Sequence, residues 1–268
     1  MINFLHNFHP QAVVLVLGPL NIYWYGLLVV LGMAVGIGVA MMLAKKYGIP
    51  SERVIDLSFW LIIFGLLGAR LYDDFLNFSY YWQHPAQILA IWQGGLAIHG
   101  AIIAGLITVF FWAKKKDLLL WLAILAPAVA IGQAIGRFGN YFNQELFGLP
   151  TNIPWGIPID LINRPNQYIS FEYFHPTFLY ESLGCLFIFI ILLLLHYRLK
   201  STWTKKNLLI VLSYLCLYSV LRFSLEFLRI DETPLFLSWR WPQIISIIIL
   251  LGSLIIWIYA AKKIPQKK

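Results

Sequence analysis

Seven long apolar runs divide this chain and constrain its fold more than any other feature. They cover approximately residues 22–44, 54–72, 87–112, 118–136, 178–198, 207–228 and 242–261. Each run is close to the ~20 residues that a helix needs to cross a bilayer. Because lipid offers the backbone no hydrogen bonds, these runs are expected to be helical. The sequence therefore predicts an all-α integral membrane protein with about seven transmembrane helices, residues 1–268 forming a single polytopic domain.

The composition agrees with this interpretation. Hydrophobic residues make up 60% of the 268 residues and charged residues only 12%, whereas soluble domains carry roughly 25% charged residues. Disorder requires low hydrophobicity and high charge, so it is excluded. Cys185 and Cys216 both fall inside predicted spans and are expected to remain free thiols. Pro127 interrupts the fourth run, which makes that span the weakest of the set.

The lysines predict the orientation of the chain. All twelve follow the first, third, fifth or seventh run, at positions 45, 46, 114–116, 200, 205, 206, 262, 263, 267 and 268. Positively charged loops remain cytoplasmic, so the N-terminus is expected outside (periplasmic) and the C-terminus in the cytoplasm. Because these lysines are explained as topology signals beside an anionic leaflet, nucleic acid is not expected as a partner.

Six arginines lie apart from the lysine groups, at positions 70, 137, 164, 222, 229 and 240. In the sixth run, Tyr218, Arg222 and Glu226 are spaced i, i+4 and i+8, and Arg229 follows at i+11. The spacing predicts one polar helical face that avoids lipid. One alternative is a purely structural Arg222–Glu226 pair that holds helices together. Arg240, beside Trp241, is interpreted as an interfacial anchor.

The densest polar cluster is the segment from Gly136 to Gly148, with the sequence GRFGNYFNQELFG. Its glycines allow close backbone approach to a ligand. Arg137, Asn140 and Asn143 can donate hydrogen bonds to phosphate or glycerol oxygens, and Glu145 can orient an arginine or a hydroxyl. We expect an anion site here, rather than an ordinary glycine-rich turn. Residues 137–177 are expected to form an external catalytic loop and a small irregular cap.

Two histidines stand near this chemistry. His99 is surrounded by glycines in the third run, and histidine is the side chain that most easily acts as a base near neutral pH. A structural role is the alternative. His175 opens the fifth run, where it either contacts a head group or positions the start of the helix. No zinc, serine-nucleophile or phosphate-loop motif occurs, so the sequence gives no support for hydrolysis by a serine nucleophile or for an ATP-driven reaction.

Five motifs in order resemble those of the bacterial prolipoprotein diacylglyceryl transferases. The strongest is the Gly136–Gly148 segment, which is similar to the family's Gly-Arg-x-Gly-Asn-x-x-Asn-x-Glu-x-x-Gly pattern. The others are Trp24-Tyr25-Gly26, Gly95-x-x-x-His99-Gly100, His175-Pro176-Thr177-x-x-Tyr180-Glu181 and Arg222-Phe223-x-x-Glu226-Phe227-x-Arg229. The resemblance covers essentially the whole chain. One departure is an aspartate expected shortly before Ala126-Pro127, which is replaced within Leu122-Ala123-Ile124-Leu125.

The resemblance implies transfer of the diacylglyceryl group of phosphatidylglycerol to the thiol of a lipobox cysteine in a prolipoprotein signal peptide. The products are a thioether and glycerol 1-phosphate, and the resemblance implies neither a metal nor a soluble cofactor. The implied location is the bacterial inner (cytoplasmic) membrane, with the active site toward the outer face. The implied catalytic residues are His99, Arg137, Arg222, Glu226 and Tyr25. The implied substrate-binding residues are Arg137, Asn140, Asn143, Glu145, Gly148, His175, Tyr218 and Arg229. His99 either removes the thiol proton or only orients the substrate while the arginines lower the thiol pKa.

Two other classes of protein are weighed against this interpretation. A transporter places intramembrane charges along a pathway and often carries paired internal repeats, and no second copy of the Arg137 segment is present in the sequence. A structural membrane subunit needs no outward-facing polar cluster. For such a subunit, replacement of Arg137 would change only stability or assembly.

Overall fold

The computed structural model describes residues 2–18, 20–199 and 203–263 and is mostly helical. Within these residues the helices are α1 (Ile2–Asn7), α2 (Trp24–Lys46), α3 (Ser51–Leu76), α4 (Phe78–Gln83), α5 (Ile98–Trp112), α6 (Leu118–Phe142), α7 (Thr177–Arg198), α8 (Trp203–Glu226) and α9 (Trp241–Lys263). Antiparallel pairs join β1 (Val13–Leu17) to β2 (Leu20–Tyr23), β3 (Ile157–Pro158) to β4 (Tyr173–Phe174) and β5 (Leu235–Phe236) to β6 (Trp239–Arg240). The predicted α-helical class therefore holds, with short antiparallel strand pairs added outside the long helices.

Six of the described helices are long and apolar enough to cross a membrane: α2, α3, α6, α7, α8 and α9. They correspond to six of the seven predicted runs, so the prediction of a helical membrane protein is confirmed at this level. Helix α6 continues through Pro127. Proline is tolerated in such helices because neighbouring groups can satisfy the backbone carbonyl that it leaves free.

The helix predicted over residues 87–112 is wrong in its first half. Residues 85–93 form short 3-10 turns, and Gly94 and Gly95 adopt positive φ angles of 93° and 69°. Helix α5 therefore begins only at Ile98 and has 15 residues. At 1.5 Å per residue it is about 22 Å long, shorter than the ~30 Å hydrocarbon core. A count of seven spanning helices remains a prediction.

The chain divides into two compact units. The first combines the residues up to Val39 with those from Leu125 onward, and the second is Ala40–Ile124. In the second unit, α3 packs against α5, and Gly68 meets Gly100 so closely that an added Cβ at Gly100 would strike the Gly68 carbonyl. Small residues at such crossings allow helix backbones to approach each other.

Arg70 on α3 is buried and holds the loop that precedes α5. Its Nε donates to the Ile88 carbonyl at 2.9 Å, and its Nη1 donates to the carbonyls of Gly94 and Gly95 at 2.8 and 3.0 Å. Asp74 lies 3.2 Å away as its counterion. This arginine therefore fixes the irregular segment that replaces the first half of the predicted span.

In the first unit, α7 packs on α8 and α8 packs on α9. A buried aromatic and aliphatic core stabilises the irregular segment between α6 and α7; it consists of Tyr141, Phe147, Ile157, Ile159, Phe174 and Phe178. The boundary predicted for this segment needs a correction. Residues 137–142 belong to α6 rather than to a loop, so the irregular part runs from residue 143 to 176. The regular helical spacing therefore extends into the glycine-rich motif.

Candidate active site

Arg137 sits in the last two turns of α6 and makes an ion pair with a buried carboxylate from α7. Its Nη2 donates to Glu181 Oε1 at 2.6 Å, and its Nη1 donates to Asn140 Oδ1 at 3.2 Å. Glu181 is 2% exposed. The Tyr218 hydroxyl, from α8, donates to the same Glu181 oxygen at 3.2 Å. Three helices thus meet at one carboxylate, which orients the Arg137 fork.

A second buried carboxylate, Glu226, sits at the end of α8. Arg222 Nη2 lies 2.9 Å from Glu226 Oε2, and Arg240 Nε donates to Glu226 Oε1 at 2.7 Å. Arg222 Nη1 is buried and has no hydrogen-bond partner among the described residues. A buried donor without a partner costs roughly 1–3 kcal/mol, and more when it is charged. Arg222 therefore carries a donor that is available to an anion.

Arg229 does not share the helical face predicted for Tyr218, Arg222 and Glu226. Helix α8 ends at Glu226, and Arg229 forms an isolated β-bridge with Gly148 instead. The extended backbone still brings Arg229 Nη1 to 3.7 Å from Glu181 Oε2, while its Nε donates to Asp231 Oδ1 at 2.7 Å. The predicted grouping was right in proximity and wrong in secondary structure.

We call Arg137, Arg222, Arg229 and Arg240, with Glu181, Glu226 and Asp231, the arginine cluster. Its four arginines face three carboxylates that pair with them. The cluster therefore carries one formal positive charge in excess. A desolvated arginine remains charged and can hold a phosphate in two-point contact. This arrangement favours binding of a monoanion.

The turn that follows α6 extends the cluster through hydrogen bonds. Asn140, which is buried, accepts from Arg137 and donates from Nδ2 to Glu145 Oε1 at 2.7 Å. Gln144, in the turn that follows α6, is also buried. Its Nε2 donates to the Pro10 carbonyl at 3.0 Å, and its Oε1 accepts from the Asp160 amide at 2.7 Å. Gln144 therefore connects the segment before α2 to the segment that follows α6.

Gly148 is placed where no side chain fits. A Cβ at this position would lie 2.8 Å from His175 Cβ and 3.0 Å from the Leu228 carbonyl. The Gly148 amide donates to the His175 carbonyl at 2.9 Å, and the Thr177 hydroxyl donates to the Leu146 carbonyl. Because Gly148 has no side chain, three backbone segments can approach one another closely at this position.

His175 belongs to a short polar chain at the start of α7. The Tyr180 hydroxyl lies 3.2 Å from His175 Nδ1, and the Trp155 indole donates to the same hydroxyl at 2.9 Å. Burial lowers the pKa of His175, because desolvation disfavours the charged imidazolium. The hydrogen bond between His175 Nδ1 and the Tyr180 hydroxyl is consistent with a role in positioning this end of the helix.

Tyr25 lies in the first turn of α2, and its ring packs on Gly139 of α6. A Cβ at Gly139 would come within 2.7 Å of Tyr25 Cδ2. One residue earlier, Trp24 stacks on Phe142 with ring centroids 4.6 Å apart. Since Gly139 is two residues from Arg137 on the same helix, the fold brings Tyr25 beside the segment that carries the arginine cluster.

His99 belongs to the second unit. It occupies the second residue of α5, is exposed, and has its ring centroid 6.0 Å from that of Tyr72. Its neighbour Gly100 forms the close crossing with α3. The other predicted site residues lie in the first unit, where the hydrogen bonds and ion pairs described above connect most of them.

Sequence reasoning missed three members of the cluster: Glu181, Asp231 and Arg240. Glu181 was within a quoted motif, and a carboxylate inside an apolar run is itself a signal of a buried partner. Arg240 was interpreted as an interfacial anchor, but it binds Glu226 and donates to the carbonyls of Arg229 and Asp231. Both cysteines are free thiols, as expected. Within the described residues no group of three potential metal ligands occurs.

Comparison with known proteins gives a consistent result. A family model described as prolipoprotein diacylglyceryl transferase matches residues 12–259. A phosphatidylglycerol–prolipoprotein diacylglyceryl transferase from Nostoc sp. is 43% identical over 259 residues, which cover 95% of this chain and 91% of the relative. Proteins of the same name from Synechocystis sp. and Thermosynechococcus vestitus are 42% and 39% identical, and cover 95% and 97% of the chain and 91% and 97% of their own lengths.

Proposed function

Because the chain belongs to the prolipoprotein diacylglyceryl transferase family, we propose that the arginine cluster is its active site. The chain is a transferase that moves the diacylglyceryl group of phosphatidylglycerol to prolipoproteins, the first step of lipoprotein maturation. The acceptor is the thiol of a lipobox cysteine in the signal peptide. The proposal assigns the phosphate to Arg137 and Arg222, and the support of these arginines to Glu181 and Glu226.

The chemistry requires positive charge at the leaving group. A thiolate attacks the glyceryl carbon, the bond from this carbon to the phosphate oxygen breaks, and a thioether forms. The phosphodiester carries one negative charge before this step, and the released glycerol 1-phosphate carries two. Preorganised donors aimed at developing charge are often the largest single catalytic contribution. An arginine cluster with one excess positive charge supplies such donors.

The observation that carries the proposal is the buried Nη1 of Arg222, which has no hydrogen-bond partner in the part of the chain that the structure describes. The Nη2 of the same guanidinium forms an ion pair with Glu226 Oε2 at 2.9 Å. A donor fixed in this way needs little reorganisation when an anion binds. Asn140, Glu145 and Tyr218 extend the site around Arg137, while Gly148 and His175 fix its backbone. Tyr25 and Tyr218 are assigned to the head group or the leaving oxygen.

Two roles are proposed for His99 when the thiol loses its proton. In the first, His99 accepts this proton as a general base. In the second, the arginines lower the thiol pKa, so that the proton passes to water before the attack, and His99 orients the substrate. A pH–rate profile of His99→Gln separates them, because loss of a general base removes the corresponding acidic limb of kcat/KM, whereas loss of an orienting group lowers the whole curve.

The distribution of charges and the long apolar helices support a proposal for the membrane arrangement. We propose a multi-pass protein of the inner membrane, with the N-terminus outside, the lysine-rich ends of the helices in the cytoplasm, and the cluster toward the outer face. The six long apolar helices support the membrane location. Both substrates carry apolar portions, so they enter from the bilayer, and the irregular segment 143–176 forms the external cap.

Reconstitution tests the proposal directly. Purified protein in liposomes receives phosphatidylglycerol and a lipobox peptide, and mass spectrometry follows the peptide. We expect a mass gain of one diacylglyceryl group on cysteine, and its loss in Arg137→Ala and in Arg222→Ala. Arg198→Ala is the matched control because Arg198 is exposed at the opposite, lysine-rich end of α7.

The opposite results are equally clear. Transfer at the wild-type rate by folded Arg137→Ala and Arg222→Ala proteins refutes the site assignment. If the wild type transfers nothing from phosphatidylglycerol, the assigned chemistry fails. The transporter interpretation is then tested by uptake of a labelled anionic solute into the same liposomes.

A further inference from the structure

A cavity of about 410 Å³ opens beside the arginine cluster, on the turn that follows α6. This volume lies in the range of small-molecule sites, roughly 300–1,000 Å³. Its wall has no lysine or arginine. The polar lining consists of three amides and two carboxylates, which belong to Asn143, Gln144, Asn163, Glu145 and Asp231. Apolar residues, among them Phe147 and Ile230, complete the lining.

The polar groups of this cavity retain hydrogen-bonding capacity. Among the described residues, no hydrogen bond of the Asn143 side chain occurs. Asn163 donates its amide to Gln144 at 3.3 Å, which leaves its carbonyl oxygen as an acceptor. Glu145 accepts from Asn140 at one oxygen only. An amide and a carboxylate together offer both donors and acceptors, so the wall suits neutral hydroxyl groups, which need both.

The cavity meets the arginine cluster at two points. Glu145 is joined through Asn140 to Arg137, by hydrogen bonds of 2.7 and 3.2 Å. On another side, Asp231 accepts from Arg229 at 2.7 Å. The cavity wall is therefore joined by hydrogen bonds to the cluster to which the phosphate is assigned. The cationic cluster suits an anion, and the cavity without lysine or arginine suits neutral hydroxyl groups. Together they fit one ligand, an anion that carries a polyol.

We propose that this cavity binds the glycerol head group of phosphatidylglycerol and thereby selects the donor lipid. The inference rests on the proposed function, because it takes the phosphate position from it. Asn163 and Asp231, which the sequence did not single out, become specificity-determining residues. They hold the head-group hydroxyls while the phosphate occupies the arginine cluster.

A cationic head group is a poorer fit than a polyol. Asp231 is already paired with Arg229 at 2.7 Å and Arg240 at 3.6 Å. Glu145 is exposed, so solvent screens its charge. An ammonium would thus lose its hydration and face two nearby guanidinium groups. This reasoning predicts that phosphatidylethanolamine competes weakly with phosphatidylglycerol.

The experiment compares two anionic lipids that differ only in the polyol. Transfer from phosphatidylglycerol gives its KM, and phosphatidylmethanol, which keeps the phosphodiester but lacks the glycerol head group, is titrated as a competitor to give its inhibition constant. In Asn163→Leu we expect KM to rise about 3- to 10-fold, the effect of one net hydrogen bond, while the inhibition constant changes less than about 2-fold. Asn163 is exposed, so the substitution is compatible with folding.

Asn166→Leu is the matched control, because Asn166 is an exposed cap residue outside the cavity wall. Asn163→Ala is the second variant if leucine disturbs the cap. The inference is overturned if KM and the inhibition constant rise together, if neither changes, or if phosphatidylethanolamine competes as well as phosphatidylglycerol binds. If the wild type transfers nothing, the proposed function itself is refuted. If transfer is normal and the ratio of KM to the inhibition constant is the same in Asn163→Leu as in the wild type, only the head-group assignment is refuted.

Discussion

Glu181 is the most informative residue to perturb, because its carboxylate is the meeting point of α6, α7 and α8. It is 2% exposed, lies 2.6 Å from Arg137 and 3.7 Å from Arg229, and accepts a hydrogen bond from Tyr218. Glu181→Gln keeps the shape and removes the charge. Loss of one partner of a buried ion pair costs about 3–5 kcal/mol. At ~2–4 °C per kcal/mol, Tm is expected to fall by about 6–20 °C.

In the Glu181→Gln protein, the guanidinium group of Arg137 is expected to lose its fixed orientation. Loss of one positioned donor at developing charge typically lowers rates by about 10²-fold or more, so we expect a decrease of this size in kcat/KM below the lowered Tm. Peptide mass spectrometry measures the rate, and thermal unfolding in detergent measures Tm. Glu172→Gln is the control because Glu172 is exposed in the cap. A folded Glu181→Gln protein with wild-type kcat/KM would refute the positioning role, whatever its Tm.

Three further predictions concern single residues. Arg222→Lys keeps the charge but loses the planar fork, so kcat/KM should fall at least about 10-fold while Arg198→Lys has no effect; equal activity of both contradicts the phosphate assignment. Because burial lowers the pKa of His175, the unfolded chain binds more protons below pH ~6.5, so Tm should fall with acidification through this range. His175→Gln should reduce this dependence of Tm on pH, and an unchanged dependence would contradict the attribution of the effect to His175. Gly148→Ala should lower stability by about 1–3 kcal/mol, whereas Gly136→Ala, with open space at its Cβ, should not; equal Tm values for both would contradict the packing argument.

Helix positions were largely predictable, because a run of ~20 apolar residues has few alternatives in a bilayer. Six runs became long helices. The failure at residues 87–97 has a local cause. Gly94 and Gly95 adopt positive φ, and the Arg70 side chain satisfies the carbonyls that a helix would otherwise use. A hydropathy average over a run of residues does not detect one arginine from another helix. Here that arginine supplies the hydrogen bonds that a further turn of helix would otherwise make.

The candidate site was predictable where its residues are close in sequence. The spacing of Tyr218, Arg222 and Glu226 correctly placed them on one helix, and the Arg137 segment correctly suggested polar partners. Arg240 was assigned to the membrane interface because its local neighbours are aromatic. Its actual partner, Glu226, is 14 residues away across a hairpin. Side chains that meet through a turn leave no periodic signal, so such pairs require the structure.

The contacts of Gln144 and His6 indicate when the segment before α2 reaches its native position during synthesis of this chain. Its amide binds the Pro10 carbonyl across 134 residues, and His6 reaches the Gly156 carbonyl across 150. At about 5–20 residues per second, roughly 7 to 30 s separate the emergence of these partners. The segment before α2 therefore leaves the ribosome long before the turn that holds it. Its native position is acquired late, after α6 is complete, and not while the first membrane helix inserts.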